Sequence, residues 1–384
     1  MSLEISESDW DRTFLDLSSK TAEPLCWAYG LLRYRLVAPL DPKKFDNCDT
    51  QTREIATRAL IAVGAFFLCV CATVPLLFTA LVLGATSKIF RAIGFSLQKN
   101  GYTHVRGSAP EKKLEGQAKI LTWNICGIGG VNDWRLRLND IVAQINAEDP
   151  DVLVLQEVYD TALAEALIEK LGSRYAHFFT HLGTNVWGST GGGMVISKCA
   201  HTRFTNESFK NNDWTLNRTF TTLDIKAKPE DALPCARIIG THLIHDSNPN
   251  RMAQVAQIVD SVFKETFPVP TVIVGDLNLE RDKAEEGGLL NPYLRHGYVR
   301  NEPTATNELA RQWEQKKQAA PGETIDYVSL FKRQLADGRQ LPVVDENIRL
   351  DNCHLVKAFD ETYNTRTALS DHHGVAATLV LAGG

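Results

Sequence analysis

The chain has 384 residues, 44% hydrophobic and 23% charged, with a formal net charge of −5. That is ordinary globular composition, long enough for a large core and for about two domains. Charge is uneven: residues 1–117 hold 14 basic and 12 acidic side chains, the remainder 27 and 34, so the acidic C-terminal part lacks a basic stripe to match a nucleic-acid backbone.

The first residues, MSLEISESDWD, are acidic and lack the basic start and apolar core of an ordinary secretory signal. Within residues 1–58, Leu31, Leu32, Leu36 and Val37 alternate with Arg33 and Arg35, the pattern of a short amphipathic segment. From Ala59 to Ser87 there are 29 residues without a formal charge. As one helix they would extend roughly 43 Å, more than a bilayer core requires. A soluble core helix seldom lacks polar residues over such a length. Residues 59–87 are therefore expected to contact the lipid bilayer, as a kinked single span or as a hairpin re-entering on one side. Pro75 can kink or split the segment. Arg53 and Arg58 before it and Lys88 and Arg91 after it leave orientation open, and this symmetry suits a hairpin with both ends cytoplasmic. Residues 88–117, with Gly101, Gly107 and Pro110, read as a connector.

Residues 118–384 then alternate strands and helices. Strands are expected at Lys119–Ile125, Val152–Leu155, Tyr175–Thr180, Met194–Ser197, Thr219–Ile225, Ile238–Leu243, Thr271–Val274, Thr324–Leu330, His354–Phe359 and Val375–Leu381. Apolar positions at helical spacing mark Leu138 to Ile145, Leu163 to Leu171 and Met252 to Val262. Gly191, Gly192 and Gly193 form a glycine-rich turn, and Glu308 to Gln318 reads as a surface helix. Many strands with few helices predict a layered α/β structure, two sheets packed face to face with helices outside. The eight cysteines are scattered without a zinc-like cluster, which fits reduced thiols and a reducing compartment.

Polar residues recur at the strand ends: Asn124, Glu157, His242, Asp276 with Asn278, Asp326, and the run Asp371-His372-His373. Each alone is more often a cap or a turn residue. Their recurrence in this order is what points to chemistry. Gly275 is expected to break its strand and present Asp276 and Asn278 on one face.

With LTWNICG, LQEVY, GGGMVISK, THL, GDLN, IDYV and SDHHGV in order, the chain resembles the endonuclease/exonuclease/phosphatase superfamily of metal-dependent phosphoesterases over about residues 118–382. The resemblance implies a four-layered α/β sandwich and an Mg²⁺ ion, with Mn²⁺ as a substitute. Hard carboxylate oxygens suit such an ion, which keeps several of its waters. By family likeness Glu157 is the main metal carboxylate, with Asn124 and Asp371 near the metal. Asp276 would orient or deprotonate the attacking water. Asn278 and His242 would donate hydrogen bonds to phosphoryl oxygens, His372 would be the acid/base imidazole, and Asp326 would fix its tautomer. His373 is given an outer, structural role.

The motif set is similar to the neutral sphingomyelinase branch. Leu279-Glu280-Arg281 stands where phosphoinositide 5-phosphatases usually carry an aromatic–arginine pair. With the apolar stretch upstream, the expectation is a membrane-tethered phosphodiesterase acting on a phospholipid such as sphingomyelin, its catalytic domain on the cytoplasmic side. The alternatives are an Mg²⁺-dependent endonuclease, an inositol-phosphate phosphatase, or an anchored interaction protein with a vestigial catalytic domain. Nucleic acid is the less favoured partner, and the oligomeric state is not readable.

Overall fold

The computed structural model describes residues 57, 59–61, 63–64, 79, 81–98, 100–127, 134–185, 189–212, 216–280, 289–296, 324–344, 346–356 and 369–381. Nearly all of residues 1–58, the middle of the uncharged stretch and the expected helix at 308–318 lie outside these.

Two mixed sheets form the body. The first has seven strands in the order β1-β4-β5-β3-β2-β13-β12, the second six in the order β10-β11-β9-β8-β7-β6. The strands are β1 (Thr103–Arg106), β2 (Gln117–Asn124), β3 (Val152–Gln156), β4 (His177–Thr180), β5 (Met194–Ser197), β6 (His201–Ser208) and β7 (Thr219–Ile225). They continue with β8 (Ala236–His242), β9 (Thr271–Asp276), β10 (Leu294–His296), β11 (Asp326–Phe331), β12 (Arg349–Val356) and β13 (Gly374–Val380). Helices α1 (Trp134–Glu148), α2 (Thr161–Leu171) and α3 (Asn248–Phe263) accompany them among the described residues.

Side-chain alternation along the strands separates three apolar layers. Leu121, Trp123, Leu153 and Leu155 face Leu138, Ile141, Ile145, Leu163 and Leu167 of α1 and α2. Their neighbours Ile120, Val152 and Val154 face the second sheet's Leu223, Ile238, Val272 and Val274. On that sheet's far side Ile239 and Ile273 pack on Val255, Ile258, Val259 and Val262 of α3. Helix, sheet, sheet, helix: the layering is an α/β sandwich. Within α3, Ala256 departs from the expected face and is exposed.

Two pairs run parallel, β2 with β3 and β8 with β9, and each is bridged by a crossover helix, α1 and α3. Parallel strands end on the same side, so the carboxyl ends of all four gather at one end of the sandwich. Antiparallel β11 and β13 begin at that end. Such strand ends are where open α/β sheets present ligands.

Three strands were not expected. β1 lies within the connector and pairs with β4. The polar β6 and the three-residue β10 sit at the edges of the second sheet. Gly275 also behaves differently from expectation: the strand runs through it to Asp276. Its φ is +140°, and a Cβ there would lie 1.8 Å from the Thr241 carbonyl oxygen. Glycine is required for close approach of β8 to β9, not to end the strand. Among the described residues no helix is long and apolar enough to cross a membrane; residues 81–96 are helical.

Candidate active site

Register places the polar strand ends side by side. His242, Asp276 and Asp326 stand in one row across β8, β9 and β11. In the other sheet Asn124 at the end of β2 is level with Gln156, the residue before Glu157. The two rows meet through Asn124, whose Nδ2 donates to Asp276 Oδ2 at 3.2 Å, while its Oδ1 accepts from Cys126 N at 3.1 Å.

The loop before β13 brings in Asp371 and His372. Ser370 anchors it: its hydroxyl donates to the Asn124 carbonyl at 2.5 Å and accepts from His372 N at 3.2 Å. Trp123 Nε1 donates to the His372 carbonyl at 2.9 Å. Arg137 of α1 ties the same loop to the end of β2, donating to the carbonyls of Ile125, Cys126 and Leu369. Two of the side chains ride on left-handed backbone: Glu157 at φ 64° and Asn278 at φ 51°. For a glutamate that conformation costs on the order of 1 kcal/mol, held by the surrounding packing.

His372 Nδ1 lies 2.8 Å from Asp326 Oδ2, and its Nε2 is 3.9 Å from Asp276 Oδ2. Burial alone would push the His372 pKa down. The Asp326 charge and hydrogen bond outweigh it and hold the imidazole well above its ordinary value. Asp276 moves the same way: burial, then the Asp326 charge, raise it to about 7. His242 Nε2 is 3.4 Å from Asp276 Oδ2. Burial and then the Arg218 charge push His242 far down, so this ring is neutral. Its Nδ1 is buried without a hydrogen-bond partner among the described residues.

Glu157 is raised by burial first and by the Asp371 charge second. Two carboxylates that repel each other in a partly buried place fit a divalent cation, which would relieve both. Asp276, Asp326 and His372 also have ligand atoms within 4.8 Å of one another. Their short His372–Asp326 hydrogen bond occupies the imidazole Nδ1, which leaves that set less open to a cation than the Glu157–Asp371 pair.

All eight expected site residues are thus assembled at one end of the sandwich. Asn278 differs in one respect: its Nδ2 already donates to the Leu243 carbonyl at 2.9 Å, and its backbone N–H donates to Asp276 Oδ1 at 2.9 Å. It holds the Asp276 carboxylate as well as facing the site. Arg218, just before β7, was missed. It is buried, its charge acts on both Glu157 and His242, and its Nε and Nη1 have no hydrogen-bond partner among the described residues. Guanidinium nitrogens placed so suit a phosphate.

A row of carboxylates, an imidazole–carboxylate pair and a buried arginine at paired strand ends define a hydrolase of phosphoric esters. The chain belongs to the endonuclease/exonuclease/phosphatase family, whose family model matches residues 121–372. No curated protein matches it significantly. Among solved structures it is similar to beta toxin from Staphylococcus aureus, at 18% identity and TM-score 0.55, covering 68% of this chain and 99% of that one. It is similar to sphingomyelinase C from Streptomyces griseocarneus at 20% identity and TM-score 0.51, covering 69% and 99%. It is also similar to D. rerio TDP2 complexed with a single-strand DNA product, at 15% identity and TM-score 0.53, covering 69% and 99%. These likenesses establish the fold.

Proposed function

We propose that the chain is a membrane-associated, Mg²⁺-dependent phosphodiesterase that hydrolyses a phospholipid such as sphingomyelin and releases its phosphorylated headgroup. The observation that carries the lipid reading is the helix over residues 81–96 and the turn after it. Leu81, Val82, Ile89, Ile93 and Leu97 are exposed there, 37 to 70% of each surface, immediately upstream of β1. Exposed aliphatic side chains at that density want a bilayer or a partner. A tether of this kind raises the effective substrate concentration without any new contact in the site.

Glu157 and Asp371, with Asn124, would hold the metal, which supplies Lewis-acid polarisation of the phosphoryl group. The chain's own groups do the rest. Asp276 accepts the proton of the attacking water. His372, kept cationic by Asp326, donates a proton to the departing alkoxide. Arg218 and His242 would stabilise charge that grows on the phosphoryl oxygens during in-line displacement. The residues fit a hydrolase and give no support to a vestigial site.

The test is a substrate panel. Purified full-length protein in vesicles, with and without Mg²⁺, is offered labelled sphingomyelin, phosphoinositides and DNA. Metal-dependent release of phosphocholine is the expected result; DNA cleavage without lipid turnover would sink the lipid reading. Arg218→Ala is expected to lower kcat about 10²-fold to 10³-fold, with Arg218→Lys recovering part of it.

A further inference from the structure

A second group of metal-ligating side chains lies at the opposite end of the sandwich. His177 is level with Ser197, which pairs with Val152 at the start of β3. His201 is level with Ile225, which pairs with Ala236 at the start of β8. The catalytic residues stand where β3 and β8 end. His104 of β1 completes the group, so three histidines from three strands and both sheets meet here.

Two of the three already stand at the spacing of metal ligands. His104 Nε2 and His177 Nδ1 are 3.2 Å apart. Two nitrogens bound to one tetrahedral zinc, each at roughly 2.0–2.1 Å, stand about 3.3–3.4 Å apart. On its other side His177 Nε2 lies 3.0 Å from Glu111 Oε1. A carboxylate there fixes the proton on Nε2 and leaves Nδ1 as the lone-pair donor, the outer arrangement that metal-binding histidines usually have. The His201 ring stands edge-on to that of His177, centroids 4.6 Å apart, and 5.9 Å from that of His104. Its Nδ1 is buried with no hydrogen-bond partner among the described residues. A polar atom left so is costly unless something pairs with it. Burial, followed by the neighbouring rings, lowers His104 to about 4; burial and the His177 ring lower His201 to about 4. Both are neutral, the form that binds metal.

We propose that His104, His177 and His201 bind a transition-metal ion of the zinc type, with Glu111 orienting His177 and a water in the fourth position beside the exposed His104. Imidazole donors suit zinc and not magnesium, so this site and the catalytic one take different ions. Among the described residues only the Asp276, Asp326 and His372 set already has three ligand atoms within 4.8 Å of one another, so closing the histidine trio requires the His201 ring to turn toward the other two. The ion would fasten β1, the first strand after the helix at 81–96, to β4 of its own sheet and β6 of the other. It is a clamp between the upstream segment and the catalytic body.

The test uses chelator-treated full-length protein with Mg²⁺ present to fill the catalytic corner, titrated with Co²⁺. One equivalent should bind with the intense visible absorption of tetrahedral cobalt, be displaced by Zn²⁺, and raise the melting temperature with increasing Zn²⁺. His104→Asn and His201→Asn should each weaken binding at least 100-fold, and Glu111→Gln about tenfold. His104→Asn, at an exposed position, serves as the folding control through its metal-free melting temperature and its unchanged Mg²⁺-supported hydrolysis. The proposal is overturned if no tetrahedral signal forms, if His104→Asn binds cobalt as the parent does, or if Glu157→Ala abolishes the signal instead.

Discussion

Asp276 and His372 face one another with their protons held in opposite senses to their ordinary chemistry. A carboxyl raised to about 7 is half ionised near neutrality, and an imidazole raised by Asp326 is still charged there. In the proposed mechanism the first must be ionised to accept a proton and the second protonated to give one. The rate is therefore expected to rise through about pH 7 and fall at higher pH as His372 deprotonates. Asp326→Asn removes the anion that holds the proton on His372. A kcat lowered about 10²-fold to 10³-fold, with the alkaline limb displaced to lower pH, is the outcome to look for in a pH–rate profile. Unchanged limbs would mean that Asp326 does not govern His372. The strand-end residues were legible because they sit in short linear motifs. Arg218 was not: it stands in irregular chain before β7, and only the folded structure shows its charge acting on Glu157 and His242. The histidine trio was equally hidden, since residues 104, 177 and 201 share no local pattern. It has a pH signature of its own. His104 and His201 fall to about 4 on folding, so between roughly pH 4 and 6.5 the unfolded chain binds more protons than the folded one. Stability in the absence of transition metal is complete above about pH 6.5 and declines as pH drops toward 4. The loss is on the order of 1 kcal/mol per ring, once solvent screening of half-exposed groups is allowed for. Thermal melts of the chelated protein across that range measure it, and His104→Asn should flatten the slope.

At the scale of elements, the buried central strands were readable and the edges were not. Met194–Ser197 and Thr219–Ile225 are fully buried, mostly apolar or β-branched runs and lie where the pattern put them. In β6, HTRFTNES, only Phe204 is buried, so alternation carries no signal. Its partner β7 supplies the template instead, and edge position explains the polar sequence. β1 has just four residues and takes its place by pairing with β4. The β8–β9 pair shows a third way in which an element depends on what is far away in sequence. Gly275 appeared to be punctuation, yet it is the point where β9 passes the Thr241 carbonyl too closely for any side chain. Because His242 and Asp276 are in register across that same pair, packing and catalysis share this residue. Gly275→Ala is expected to destabilise the fold by about 3 kcal/mol or more, through strain at a positive φ and displacement of β8. Denaturant unfolding reads the loss. A variant as stable as the parent would show that the strands can separate there at little cost.

For the whole molecule the question is what the upstream segment does for a site that is complete without it. The candidate catalytic groups come from residues 124 to 372, all inside the sandwich, and the acidic balance of that part offers a membrane no general attraction. Under the proposed lipid reading, attraction comes from the uncharged stretch and the exposed aliphatic side chains of residues 81–97. If the helix positions the sandwich at a lipid surface, its apolar side chains should matter for a lipid in a bilayer and not for the chemistry. The triple substitution Leu81→Ser, Ile89→Ser and Ile93→Ser changes exposed positions only, so the sandwich should keep its stability. Each aliphatic side chain that enters the bilayer is worth about 1.5–3 kcal/mol. Losing three of them should lower turnover of vesicle-borne substrate by 10-fold or more. Turnover of a short-chain, water-soluble analogue should stay within a factor of two. The ratio between these two substrates separates tethering from catalysis, because Glu157→Ala must abolish both. Equal loss on the two substrates would place the helix in support of the fold and remove the reason for assigning the enzyme to a membrane surface.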